Sequence, residues 1–186
     1  MAATEQIEKG LVTGEELYRR PDLGPCELVD GRIVPMSPTG DLHGGIEAII
    51  AAALLAYARE TGQGKVRSGE VGIYVRRGPD TVRAADVLFI SDERWARRSS
   101  EGYLDVAPEL VVEILSPDDR WSDVTAKLAD YFAAGVVAVW VVDPSLRKVF
   151  AYRSPTDVRQ FSEGDLLIEE EVLAGFSLPL VTLFGD

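Results

Sequence analysis

Cysteine and histidine are nearly absent: Cys26 and His43 are each the only one of their kind in 186 residues. A single cysteine excludes an internal disulfide and a cysteine cage for a metal, and reads as a small buried hydrophobe. A single histidine excludes a histidine-rich metal site. The longest apolar run, residues 46–57, carries Glu47 near its start and falls short of the ~18 residues that a membrane span needs. The first ten residues, MAATEQIEKG, lack the basic-then-apolar order of a signal peptide. These absences predict a cytoplasmic protein with no membrane partner. There is also no Gly-rich phosphate loop, no Ser-His-Asp order and no zinc-ligand spacing.

Positive charge is scarce. There are 19 basic and 31 acidic residues, a net charge of −12, which argues against a protein that coats itself in nucleic acid. The deficit lies at the two ends. Residues 1–62 carry 10 acids and 5 bases, residues 154–186 carry 7 and 1, and the middle is nearly balanced with 14 and 13. Most arginines lie in that middle.

The hydrophobic content, 46%, suffices for one core, and no repeat or low-complexity linker divides the chain. A single domain over 1–186 is expected. Its core spans about 25–152, preceded by an N-terminal extension over 1–20 and followed by an acidic β appendage over 153–186. In the extension, Thr13 with Glu16 three residues on forms a capping-box signature after a flexible start. "CELVDGRIVPM" reads as a hairpin around Asp30-Gly31. "GDLHGGIEAIIAAALLAYARETGQG" reads as a long helix capped by Asp41, stopped by Gly62 and apolar on more than one face. Strands follow over 65–76 and 81–90, joined at Gly78-Pro79-Asp80, then a short helix in "DERWARRSS". "PELVVEILSP" and "VAVWVVDP" are buried strands. The helix between them is capped by Ser122 and stopped by Gly135, which implies a parallel crossover. With the flanking hairpins, the fold expected is α/β (mixed α+β): a mixed sheet flanked by helices.

Two of these strands each contain a carboxylate that the pattern buries. Alternation puts Asp86 on one face with Val82, Ala84, Leu88 and Ile90, and Glu113 on one face with Val111 and Leu115. Burying an ionised carboxylate costs several kcal/mol unless something pairs or coordinates it. If the strands are neighbours, one hard divalent cation compensates both acids, with water and a phosphate completing its shell. Lys127, three residues after Val124, flanks the apolar stripe Val124–Leu128–Tyr131. It can bury its stem and aim its ammonium at the acids or at a phosphate. The plainer alternative is an i, i+4 pair with Asp123.

"RAADVLFI" and "PELVVEILSPDDRWSDVTAKLADYFAAGVVAVWVVDP", together with "ELVDGRIVPMSP" and His43, resemble the PD-(D/E)XK nuclease superfamily. The closer resemblance is to its bacterial restriction-endonuclease-like branch, the Uma-two family, over roughly residues 25–152. The resemblance implies a restriction-endonuclease-like fold and a homodimeric endonuclease that hydrolyses DNA phosphodiester bonds with Mg²⁺ or Mn²⁺. Asp86 and Glu113 match its two metal-binding acids. Leu115 stands where the superfamily has its lysine, and Lys127 on the next helix stands where this branch supplies one.

Around this core, Glu70 is a candidate third metal acid or a hairpin residue. Glu47 and His43 lie one helical turn apart and read as supporting residues or as helix-start polar groups. Glu27 reads as a family position or as a pin for the hairpin. Arg76, Arg77, Arg94, Arg97, Arg98 and Arg120 are candidate phosphate contacts or plain surface charge, and Trp95 among them could stack on a nucleic-acid strand. Two other readings stay open: a catalytically inactive nuclease-fold interaction protein, and a metal-dependent hydrolase of small phosphorylated molecules.

Overall fold

A computed structural model describes residues 10–185; the flexible start expected over residues 1–9 lies outside the described residues. The first element is helix α1 (Gly14–Tyr18). Its capping box forms as the sequence requires: Thr13 Oγ1 accepts from Glu16 N, and the Glu16 carboxylate accepts from Thr13 N. The hairpin β1 (Cys26–Val29) and β2 (Arg32–Pro35) closes on Asp30 and Gly31, at φ 52° and 73°. Two successive left-handed residues match the twist of the flanking strands, which is why an Asp-Gly pair closes this turn.

Helix α2 (Asp41–Thr61) stops where Gly62 turns left-handed. Gly40, not Asp41, occupies its cap position, and Asp41 instead places its charge in the first turn, where the helix dipole favours it. The helix is apolar on more than one face, as expected, but only one of them is deeply buried. His43, Ile46, Ile50, Leu54 and Ala58 are buried on one stripe, while Leu42 and Leu55 are exposed. The alanines on the other faces make the helix apolar without burying it. The helix has the length of a membrane span and a mean hydropathy of 1.3 over its most apolar window, yet its stripe lies against the sheet.

Then come β3 (Lys65–Arg76), β4 (Thr81–Ile90), α3 (Asp92–Ala96), β5 (Leu110–Ile114), α4 (Trp121–Ala134), β6 (Ala138–Asp143), β7 (Lys148–Ser154), β8 (Asp157–Ser162), β9 (Leu166–Ile168), β10 (Ser177–Pro179) and α5 (Val181–Phe184). Helix α4 is capped at Arg120 rather than at Ser122, which lies within its first turn. Its end at Gly135, φ 98°, is as expected. Strands β5 and β6 are parallel across this helix, with Glu113 opposite Val141. The other pairings are antiparallel: an eight-stranded mixed sheet runs in the order β2-β1-β4-β5-β6-β7-β8, with β3 also on β4, and β9 and β10 form a separate two-stranded sheet.

One face of the sheet packs on α2: Val87, Phe89, Val112, Ile114, Trp140 and Val142. The other packs on α4: Ala85, Leu88, Ile90, Val111, Val139 and Val141 against Val124, Leu128 and Tyr131. The C-terminal residues are not an appendage to this core. Strand β8 extends the main sheet, and Leu167, Leu173, Phe176, Leu178, Leu180 and Phe184 join the same cluster as Trp140. A 21-residue helix covers only part of a face this wide, and the tail covers the rest.

The one-sided burial of α2 can be measured. Leu54→Ala, at a fully buried site, is expected to cost about 2–5 kcal/mol in urea unfolding, and exposed Leu42→Ala under about 0.5 kcal/mol. Equal costs would contradict the single stripe.

Candidate functional site

The site arises from a fork in the sheet. Strand β3 runs along one edge of β4 for its whole length. The other edge is divided between two strands: β1 pairs there at Val82, opposite Leu28, and β5 pairs at Val87–Phe89, opposite Val112–Leu110. Between them, residues 83–86 face a gap. A backbone N–H left unpaired there would cost free energy comparable to a lost hydrogen bond, and carboxylates take the place of the missing carbonyls. Ala84 N donates to Glu27 Oε1 at 3.0 Å, and Ile114 N donates to Asp86 Oδ2 at 2.6 Å.

Strand β3 bulges opposite the same point. Ser68 faces Val87 and Val71 faces Ala85, so Gly69 and Glu70 together oppose Asp86. Both are left-handed, at φ 90° and 50°, a conformation that costs Glu70 strain that glycine would not pay. Strand β4 also slips here. Ala85 and Leu88 lie on the α4 face, whereas Val87 and Phe89 lie on the α2 face. The expected face shared by Asp86, Leu88 and Ile90 is therefore broken at Asp86–Val87. Asp86 turns toward α2, while Glu113 faces α4.

The two acids thus approach the gap from opposite sides of the sheet. Asp86 Oδ1 lies 3.3 Å from His43 Nε2, close enough for charge attraction but off the line of a hydrogen bond. His43 Nδ1 lies 3.4 Å from Ser116 Oγ. The Asp86 contact, with help from the charges of Glu47 and Glu70, raises the His43 pKa against its burial. Glu47 accepts from Gly69 N at 2.8 Å and so ties α2 to the bulge. Burial, with the Asp86 and Glu70 charges, pushes its carboxyl up.

On the α4 side, Glu113 accepts from Lys127 Nζ at 2.7 Å and from Tyr131 Oη at 2.5 Å. The Lys127 ammonium also lies 3.2 Å from Glu27 Oε1. It spans the fork, bridging an acid on β1 to an acid on β5. Burial pushes the Glu113 carboxyl up to about 7 against the pull of Lys127, and the Asp86 charge adds to the rise. Burial alone would lower Lys127, but Glu113 and Glu27 outweigh it and hold the ammonium protonated. A cavity of about 40 Å³, room for a water molecule, opens beside them, lined by Glu113, Leu115, Asp119, Asp123, Lys127 and Tyr131.

Behind Lys127 stands Arg83, buried on β4. It donates to Glu27 Oε2 at 2.8 Å and to Asp130 Oδ2 at 2.8 Å. The sequence reading missed Arg83 and took Tyr131 only for core. The signal for Arg83 was a charge inside "TVRAADVLFI", three residues before Asp86.

The expected arginine contacts do not gather here. Arg76 pairs with Asp30, Arg77 with Glu15 and Asp80, and Arg97 with Glu93. Arg94 pairs with Glu109 and donates to the carbonyls of Ala107, Pro108 and Gly135. Arg98 lies over Trp95, and Arg120 occupies the N-cap position of α4 without a side-chain cap hydrogen bond. The structure therefore brings together Asp86, Glu113, Lys127, Glu27, His43, Glu47 and Glu70. Among the described residues, no three His, Cys, Asp or Glu side chains already form a metal cage.

Comparison with known proteins fits this architecture. A family model, Uma2, described as "Putative restriction endonuclease", matches residues 14–181. No curated protein matches. Among solved structures, a protein titled a putative nuclease belonging to DUF820, from Anabaena variabilis, superposes with a TM-score of 0.75 at 20% identity, over 94% of this chain and 98% of that one.

The Lys127–Glu113 pair has a pH signature in metal-free buffer. Glu113, facing Lys127 and Tyr131 from α4 and Asp86 from β4, has a folded pKa above the ordinary carboxyl value. Stability is therefore lost as pH rises from that ordinary value to about 7. Lys127→Met removes the compensating cation and extends the loss to higher pH. Its destabilisation is expected to reach about 3 kcal/mol at pH 8 and to shrink to about 1 kcal/mol or less at pH 5, where Glu113 takes a proton. Urea unfolding at the two pH values checks this; a pH-independent cost would contradict the pairing.

Proposed function

Since the chain belongs to the Uma2 family of "putative restriction endonucleases", we propose that it hydrolyses DNA phosphodiester bonds with a divalent metal at the fork between β1 and β5. The observation that carries this reading is the Lys127 ammonium 2.7 Å from Glu113, on the helix that follows the strand carrying that acid. The ammonium is supplied although Leu115 occupies the superfamily's lysine position.

The donor chemistry fits Mg²⁺ or Mn²⁺. The available groups are carboxylate oxygens, which hard cations prefer, with no thiolate and one histidine already turned to Asp86. Around the gap, Glu27, Glu47, Glu70, Asp86 and Glu113 outnumber Lys127 and Arg83, so the site has negative charge to spare. Asp86 and Glu113 would hold the ion, with Glu70 in the bulge beside them. Two protein carboxylates, with water and substrate phosphate filling the remaining positions, are what Mg²⁺ ordinarily takes. When bound, the ion supplies Lewis acidity toward the phosphate and stabilises the leaving oxygen.

The chain's own groups do the positioning. Glu27 and Glu113 hold the Lys127 ammonium at the gap, where it stabilises the charge that develops on the phosphate oxygens. Arg83 occupies the second oxygen of Glu27 and fixes its direction. His43 flanks Asp86 from the α2 side, and Ser116 lies against the other ring nitrogen of that histidine. Cutting both strands would take two such centres, and a second copy of the chain is the simplest source.

Relaxation of supercoiled plasmid in Mg²⁺ or Mn²⁺ tests the assignment. Asp86→Ala and Glu113→Ala are expected to lower the rate at least about 100-fold, Lys127→Ala by a similar factor, and Glu27→Gln by about 10-fold by loosening Lys127 and Arg83. Cleavage by Asp86→Ala and Glu113→Ala at the parental rate would refute it, and titration with Mn²⁺ shows separately whether metal binds.

A further inference from the structure

One surface outside the fork combines aromatic and basic side chains. Trp95 on α3 is partly buried against the α4-side core. Three cations lie over its ring: Arg98 at 3.6 Å, Arg67 at 4.6 Å and Lys65 at 6.0 Å from the centroid. Lys65 is engaged by Asp92. Arg67 and Arg98 are exposed and have no carboxylate partner among the described residues. Arg67 donates once, to the carbonyl of Val66, and the Arg98 side chain has no hydrogen-bond partner among the described residues. In a chain of net charge −12, two guanidiniums stacked on one tryptophan and left without acids call for a ligand.

From this geometry we infer that Trp95, Arg67 and Arg98 form a phosphate-backbone cradle that carries DNA toward the fork. Lying over the ring limits the rotation of each guanidinium, and the exposed N–H groups that remain unpaired are available to phosphate oxygens. The ring itself is already covered by cations, so it orients the arginines rather than stacking on a base. Phosphate contacts of this kind position a strand without reading its sequence.

The placement relative to the fork supports this. Arg67 lies opposite Leu88, and Lys65 opposite Ile90, so both share the sheet face that carries Glu113 and Lys127. Arg67 is two residues before the bulge that opposes Asp86. With strands about 5 Å apart and residues about 3.4 Å apart along a strand, the cradle lies on the order of 10 Å from the gap, about three phosphate steps of one DNA strand along the duplex axis. Among the described residues, strand β3 has no ladder partner on its outer edge over residues 65–70, so no described strand covers the approach. The identification of the polyanion as DNA rests on the nuclease reading; the cradle itself does not.

Fluorescence anisotropy of the full-length chain with a labelled 20-base-pair duplex in EDTA tests it. The double variant Arg67→Ala/Arg98→Ala is expected to bind about ten-fold more weakly, equally for unrelated sequences, with a salt slope smaller by about 2. Trp95→Leu keeps both charges; it should leave the slope unchanged and weaken binding about three-fold through lost orientation. Melting temperatures show that the variants are folded. Parental affinity and slope in the double variant, or a parent with no affinity for the duplex, would overturn the cradle. Plasmid cleavage separates this from the nuclease assignment: the double variant should raise KM about ten-fold at unchanged kcat. A parent that cuts while the variant keeps the parental KM refutes the cradle alone. A parent that binds through the arginines and never cuts refutes the nuclease reading alone.

Discussion

The architecture of the site depends on one ammonium ion held between two carboxylates. Lys127 lies 2.7 Å from Glu113 and 3.2 Å from Glu27, and these acids belong to the two strands that diverge from β4. Without a cation there, two buried negative charges would face each other across a gap in the sheet, and the local dielectric would leave little screening between them. With it, the gap becomes a stable feature. Arg83 completes the arrangement by pairing the free oxygen of Glu27 and tying it to Asp130 on the same helix as Lys127. Helix α4 is thus fastened to both branches of the fork by charge as well as by its apolar stripe.

A buried carboxylate inside a strand has a structural duty at this fork. Glu27 and Asp86 each accept a backbone N–H that the divided ladder leaves without a carbonyl, from Ala84 and Ile114. Each has a second oxygen free for another partner: Glu27 gives its own to Arg83, and Asp86 turns its own to His43. Glu113 has no ladder role. Both of its contacts come from α4, and its carboxyl is the one pushed up to about 7. The acid with the least backbone support is the one whose charge depends most on an external cation.

Much of this was legible in the sequence, because local rules set it. The Asp-Gly hairpin, the capping box at Thr13 and the glycine stops at 62 and 135 follow from backbone chemistry that acts over a few residues. The buried runs around Glu113 and Trp140 are long and uniformly apolar, so their pairing across a helix was readable too. Other features depend on distant contacts. Strict alternation from Val82 to Ile90 predicted one face for Asp86 and Leu88. The slip at Asp86–Val87 is set by the bulge at Gly69–Glu70 on a neighbouring strand and by the fork, which no local pattern contains. The tail read as an appendage because its strands are short and acidic. Its burial comes from the width of the sheet face left uncovered by α2. Arg83 went unnoticed because its partners, Glu27 and Asp130, lie 56 and 47 residues away.

The position of the lysine has a physical rationale of its own. A lysine at 115 would follow Glu113 on the same strand and face, and its stem would displace an apolar residue that lines the cavity and packs with the α4 cluster. Its ammonium would serve β5 alone. From α4, one turn before Tyr131, the same charge reaches across to β1, and leucine keeps position 115 apolar. The exchange moves the cation from a strand to the element that bridges both branches of the fork. A strand-borne lysine would leave Glu27 dependent on Arg83 alone for a cation, whereas the helix-borne one lets a single ammonium satisfy both acids.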